Sequence, residues 1–183
     1  MAQIKLKDIL NELRGGKTLS IFDADDTLVK SDAWIYVTHK DGKTSKLDPA
    51  EFAVYDEKPG DEFDFKEFSA KLQNPRIIKR NVEILKKQLT KARKTSARRV
   101  TILTARSIGL PIKHFFKTLG MDVYVVPVGS SDPKKKSDWI AKQIEKGYST
   151  IYFSDDSLKN IKAVDGLKKE YPAATIKTYH VKD

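Results

Sequence analysis

Apolar positions along the chain fall into two alternating rhythms. Leu6, Ile9, Leu10 and Leu13 stand at helical spacing and stop at Gly15-Gly16. Leu19-Ser20-Ile21-Phe22 is then a short, nearly continuous apolar run, which predicts a buried strand leading straight into Asp23. From Asn81 onward the same alternation repeats. Val82, Leu85, Leu89 and Ala92 share a helix face, and Val100 to Thr104 reads as a second strand. Ile108, Ile112, Phe115, Phe116 and Leu119 predict a helix closed by Gly120, followed by a third strand from Asp122 to Val126. Ser137 or Asp138 is the expected cap of a helix carrying Trp139, Ile140 and Ile144, with Gly147 past its end. Thr150 to Phe153 predicts a fourth strand, Leu158 to Leu167 a helix, and Ala174 to Val181 a last strand. Continuously apolar strands alternating with helices imply a parallel sheet covered on both faces, an α/β fold.

Between the first and second of these strands the rhythm breaks. Trp34 to Thr38, then Lys40-Asp41-Gly42-Lys43, then a second extended run is a hairpin signal around Asp-Gly. Pro49, Pro59 and Gly60 punctuate the chain beyond the hairpin, and acids cluster in Asp61-Glu62-Phe63-Asp64. Residues 31–75 are therefore expected to form a small insert outside the core of a single domain spanning 1–183.

Composition adds limits. The chain has 183 residues, 39% of them hydrophobic and 33% charged, enough to bury one core. It has no cysteine, which excludes a disulfide framework, a thiol nucleophile and a cysteine metal site. Its first residues interleave lysines and acids with apolar positions, unlike a secretory leader, and no apolar run is long enough to span a bilayer. A soluble, cytoplasmic protein is expected. The net charge of +10 is spread along the chain, and it suits either a solvated surface or attraction to nucleic acid and phosphorylated molecules.

In an open α/β sheet, ligands bind at the carboxyl ends of the strands. Asp23-Ala24-Asp25-Asp26-Thr27 follows the first strand, Thr104-Ala105-Arg106 the second, and Ser154-Asp155-Asp156-Ser157 the fourth. Asp132-Pro133-Lys134-Lys135-Lys136 lies between the third and fourth. Acids, a hydroxyl and lysines thus converge on one sheet edge. Such a set can perform phosphoryl transfer. A carboxylate attacks phosphorus, a second acid two residues on handles protons, and acids from two strand ends hold Mg²⁺. A hydroxyl and an ammonium bind the phosphoryl oxygens.

Phe22-Asp23-Ala24-Asp25-Asp26-Thr27-Leu28 resembles the Asp-x-Asp-x-Thr signature of the haloacid dehalogenase superfamily of phosphohydrolases. Thr104, one of Lys134 to Lys136, and Asp155-Asp156 resemble its later motifs, in order. The resemblance implies a three-layer fold with strand order 5-4-1-2-3 and residues 31–75 as a small cap or flap. It implies that Asp23 is nucleophile and metal ligand, and that Asp25 is acid/base and gives its backbone carbonyl to Mg²⁺. Asp155 becomes a further ligand, with Asp156 a ligand or a supporting acid. Thr104 and a lysine hold the phosphoryl group. Lys136 is favoured, Lys135 and Lys134 remaining open. Within the superfamily the chain is similar to the phosphatase domain of bacteriophage polynucleotide kinase and related phage-type phosphatases, on Thr104-Ala105-Arg106 and Asp155-Asp156. That similarity makes Arg106 a substrate-binding candidate, beside Thr27 and Lys135.

The expected reaction is Mg²⁺-dependent phosphomonoester hydrolysis through an aspartyl-phosphate, on a nucleotide or a polynucleotide 3′-phosphate. Phosphotransfer or mutase chemistry at the same aspartate, and a non-catalytic nucleic-acid-binding protein, are the alternatives. Trp34 and Tyr36 can stack on a base or pack the hairpin, and the basic stretch from 79 to 99 reads as a solvated face. His39, His114 and His180 lie near no motif and carry no assignment.

Overall fold

The computed structural model describes residues 16–69 and 71–182, so the helix expected over Leu6 to Leu13 lies outside the described residues. β1 (Lys17–Phe22) opens the fold. The insert follows with β2 (Val29–Lys30), β3 (Ile35–Thr38), β4 (Thr44–Leu47), α1 (Pro49–Ala53), β5 (Glu62–Asp64), α2 (Lys66–Ser69) and β6 (Arg76–Ile77). Helix and strand then alternate through α3 (Lys79–Ala92), β7 (Arg98–Thr104), α4 (Leu110–Thr118), β8 (Tyr124–Pro127), α5 (Pro133–Glu145), β9 (Tyr148–Asp155), α6 (Leu158–Glu170) and β10 (Thr175–His180).

The core is a five-stranded sheet in the order β10-β9-β1-β7-β8, every neighbouring pair parallel. Because side chains alternate across a strand, consecutive residues of β1 feed opposite faces. Phe22 joins Val82, Leu85, Ile102, Ile112 and Phe116 under α3 and α4. Ile21 joins Ile140, Ile151, Phe153, Ile161 and Val164 under α5 and α6. The two buried faces explain why these strands read as apolar runs. Among the described residues, no helix is long and apolar enough to cross a membrane.

Two helix starts differ from expectation, for the same reason. The helix carrying Trp139 begins at Pro133, not near Ser137, because the Asp132 carboxylate accepts from Lys134 N–H at 2.9 Å and proline suits the first helical position. Similarly, Pro111 sits in the first turn of α4, which leaves Ile108 outside it and 44% exposed. An Asp-Pro or x-Pro start fixes φ in advance and outweighs the apolar rhythm as a boundary signal.

The insert leaves and returns through a neck in which β2 and β6 pair antiparallel, Val29 opposite Ile77. Its body is a three-stranded antiparallel sheet, β4-β3-β5. The β3–β4 hairpin turns at Asp41-Gly42, with Gly42 at φ +79° and His39 N–H donating to the Lys43 carbonyl at 2.8 Å. The insert has its own small core of Ala33, Ile35 and Phe68, with Phe52 and Phe63 against it. Trp34 and Tyr36 serve the hairpin. Lys46 lies over the Trp34 ring, and the Tyr36 hydroxyl donates to Glu67 at 2.6 Å.

Phe153 is fully buried in the strand that delivers Asp155. Phe153→Ala should lower unfolding free energy by about 3–5 kcal/mol, read from the denaturant midpoint at unchanged slope.

Candidate functional site

The sheet's carboxyl edge brings the acids together because β1 and β9 are neighbours. Asp23 N–H donates to the Ser154 carbonyl at 2.8 Å, so the β1–β9 pairing runs on past Phe22. Asp23 and Asp25 line one cavity, while Ala24 between them is buried in the core under α3 and α4. The chain then turns back sharply. Asp26 adopts φ +52°, a left-handed conformation that aspartate tolerates, and its N–H donates to the Val29 carbonyl at 3.0 Å. Asp155 ends β9 and is fully buried.

Lys136 ties these ends together. Its ammonium donates to Asp23 Oδ1 at 2.6 Å and to Asp155 Oδ2 at 2.8 Å. It projects from the first turns of α5, where Lys134 and Lys135 are exposed and Lys136 alone of the three is buried. Burial by itself would lower the Lys136 ammonium. The two carboxylates outweigh it and hold the group charged, above its ordinary value. Asp155 is fixed on its other sides by Ser157 N–H at 2.8 Å and by the Asn160 amide, which reaches Oδ1 at 3.0 Å and Oδ2 at 3.1 Å. Asp23 is held only through Oδ1. Its Oδ2 accepts from no donor among the described residues, and the residue lines the cavity.

Arg106 forms the opposite wall. It is 4% exposed, and its Nε and Nη2 donate to Asp25 Oδ2 and Oδ1 at 2.9 and 2.6 Å. Nη1 donates to the Phe68 carbonyl of the insert at 2.8 Å, and the guanidinium lies 4.6 Å above the Phe68 ring. One side chain thus bridges a core strand end, the second acid of the loop and the insert. Arg106 itself is presented by a turn in which the Thr104 hydroxyl accepts its N–H at 3.2 Å.

Negative charge exceeds positive here. Among the described residues, Asp23, Asp25, Asp26, Asp155 and Asp156 line the cavity with Lys136, Arg106 and Lys159. Desolvation pushes the Asp23 carboxyl well up, Lys136 draws it down, and Asp155, Asp156 and Asp25 push it up again. Asp156 is also raised, by desolvation and then by Asp155. Buried carboxylates that penalise one another offer a cation a favourable place. The residues with oxygens to give are Asp23, Asp25, Asp155 and Asp156. Among the described residues, no three acidic or histidine side chains are grouped so that they could hold a metal ion as they stand.

Not every expected residue reaches the cavity. Thr27 is fully buried, and its hydroxyl is engaged with Asp156, donating to Oδ1 and accepting from N–H, both at 3.0 Å. It cross-links the β1 and β9 loops and does not line the cavity, as a substrate ligand would. Lys135 is exposed and is also absent from the lining. Thr104 is fully buried behind Ala105 and Arg106, which do line it. Conversely, sequence patterns gave no sign of Asn160, five residues past Asp155 in the first turn of α6, nor of His180, which bonds the Asp156 carbonyl at 2.8 Å. They also missed the insert's aromatic side chains in the cavity wall, whose alternation in sequence marks only a strand.

No protein-family model and no curated protein matches the chain, so its chemistry has to be read from its own residues.

Removing Lys136 would strand two buried carboxylates. Lys136→Met should cost about 3–5 kcal/mol, whereas Lys135→Met, on the same turn, should change stability by less than about 0.5 kcal/mol. Thr27→Val should cost about 1–3 kcal/mol by leaving Asp156 N–H unpaired. Chemical denaturation of the three variants checks all of this.

Proposed function

We propose that the chain is a Mg²⁺-dependent phosphomonoester hydrolase of the haloacid dehalogenase type, working through an aspartyl-phosphate on Asp23. The observation that carries this reading is the Lys136 ammonium held between Asp23 and Asp155. Groups from three separate strand ends and helix starts meet there, as nucleophile, phosphoryl-binding cation and metal-side acid must. The strand order β10-β9-β1-β7-β8 and the insertion of residues 31–75 between β1 and β7 support the same fold type, with the insert as a small cap.

The roles follow from which atoms are engaged. Asp23 Oδ2, the oxygen with no donor, attacks phosphorus as the ester P–O bond breaks and the leaving oxygen departs. Lys136, already charged and aimed at Asp23, stabilises the negative charge on the phosphoryl oxygens. Asp25 gives a proton to the leaving oxygen and later takes one from the water that attacks the acyl phosphate. Both of its oxygens are bonded to Arg106. Proton transfer therefore requires the guanidinium to exchange one Asp25 oxygen for an oxygen of the substrate. Arg106 then serves as substrate ligand, and Thr104 fixes the turn that presents it.

The donor chemistry, though not a ready-made ligand set, suits Mg²⁺, a hard cation that takes oxygen ligands. Asp23, Asp155, Asp156 and the Asp25 backbone carbonyl would hold it, and their excess negative charge is what it would neutralise. Bound there, the ion screens the repulsion between the attacking carboxylate and the anionic phosphoryl group.

Two outcomes are expected. Hydrolysis of para-nitrophenyl phosphate should require Mg²⁺ and fall at least about 1,000-fold in a folded Asp23→Asn variant; a variant that keeps its activity contradicts the proposal. Millimolar Mg²⁺ should raise the melting temperature of the wild-type chain, and Asp155→Asn should abolish most of that rise.

A further inference from the structure

The cavity that holds Asp23 and Arg106 has a second half that phosphoryl chemistry does not use. Its volume is about 690 Å³, in the range of small-molecule sites and larger than a phosphoryl group needs. The insert supplies that half, with Phe52, Tyr55, Phe63, Phe65 and Phe68 in its wall. Their rings meet edge to face, Phe52 lying 5.4 Å from both Phe63 and Phe65 and Phe65 lying 6.2 Å from Phe68. Phe65 is 38% exposed, although its ring meets those of Phe52 and Phe68. An aromatic face left open inside a cavity suits a flat ring stacked on it.

The charge of the same wall limits what that ring can carry. Asp56 and Glu57, both exposed, line the cavity beside the aromatic residues. Residues 31–75 contain ten acidic and six basic side chains, net −4, so the rest of the chain carries +14. Carboxylates accept hydrogen bonds from the N–H edges of a nucleobase. They repel any phosphate beyond the one seated at Lys136. The excess positive charge belongs to the rest of the chain, and of it Lys136, Arg106 and Lys159 reach the cavity lining.

We propose that the insert is a nucleobase-binding shelf, and that the substrate class is the mononucleotide with a single phosphate rather than a polynucleotide end. The proposal rests on the phosphohydrolase reading above, since the phosphate is seated by Lys136 and Arg106 and the base extends onto Phe65 and Phe52. Arg106 joins the two halves, its guanidinium being shared between Asp25, the Phe68 ring and the Phe68 carbonyl. A base on the shelf thus packs against the residue that must release Asp25.

The test compares substrates that differ in one part at a time, using the full chain with Mg²⁺. Nucleoside monophosphates should have kcat/KM about 5- to 150-fold above ribose 5-phosphate, the span expected for one base stacked on aromatic side chains. They should also exceed oligonucleotides with a terminal phosphate. Phe65→Ala should shrink the ratio of nucleotide to ribose 5-phosphate to below about 3-fold. Equal rates on nucleotides and ribose 5-phosphate would overturn the shelf while leaving the hydrolase intact, and so would a preference for the oligonucleotides or for phosphotyrosine. Calorimetric titration of nucleoside monophosphate and ribose 5-phosphate into the same chain reads the shelf without turnover. If nothing is hydrolysed, tighter binding of the nucleotide that Phe65→Ala removes supports the shelf although the hydrolase reading fails, and equal binding overturns it.

Discussion

The Lys136 ammonium between Asp23 and Asp155 is the constraint on which the rest of the site depends. Two carboxylates from adjacent parallel strands end within reach of one another, at a sheet edge where water is largely excluded. Without a cation between them, desolvation and mutual repulsion would oppose folding at this edge. α5 supplies that cation from within the helix. The Asp132-Pro133 start places Lys136 inward, and Lys134 and Lys135 remain on the exposed side. Asn160 and Ser157 then hold Asp155, and Thr27 holds Asp156, so little of the site depends on a mobile side chain. Asp23 is the exception, since one of its oxygens is left to face the cavity.

A second, weaker constraint runs through Arg106. It couples the core to the insert by hydrogen bonds at both ends, to Asp25 on one side and to the Phe68 carbonyl on the other. The insert is also joined by a two-residue neck and by Leu72, which is buried in the core under α3 and α4, while its body packs around its own aromatic cluster. A shift of the insert at Phe68 would therefore be felt at Arg106, and through it at Asp25.

Much of this was legible in the sequence, and the parts that were not share a cause. The strands before Asp23 and Asp155 are buried on both faces, so they read as apolar runs and their ends could be located within a residue or two. The hairpin at Asp41-Gly42 was legible because type-specific turn residues leave a local signature. The start of α5 was misjudged because a cap, a one-residue event, outweighs apolar spacing. Thr27 shows a different limit. A hydroxyl next to an acidic strand end reads as a ligand, yet a buried hydroxyl is satisfied by the nearest partner the fold provides, here Asp156 across 129 residues. Asn160 and the aromatic wall of the cavity depend on contacts between separate elements, and no spacing along the chain encodes those.

In the proposed reaction Asp23 carries the phosphoryl group. This is tested most directly by quenching the chain during Mg²⁺-supported turnover, reducing it with borohydride and sequencing its peptides by mass spectrometry. An acyl phosphate at Asp23 would be reduced to homoserine at position 23, and the account predicts that product only when substrate is present. Turnover with position 23 still aspartate, or reduction at any other acid of the site, would contradict it.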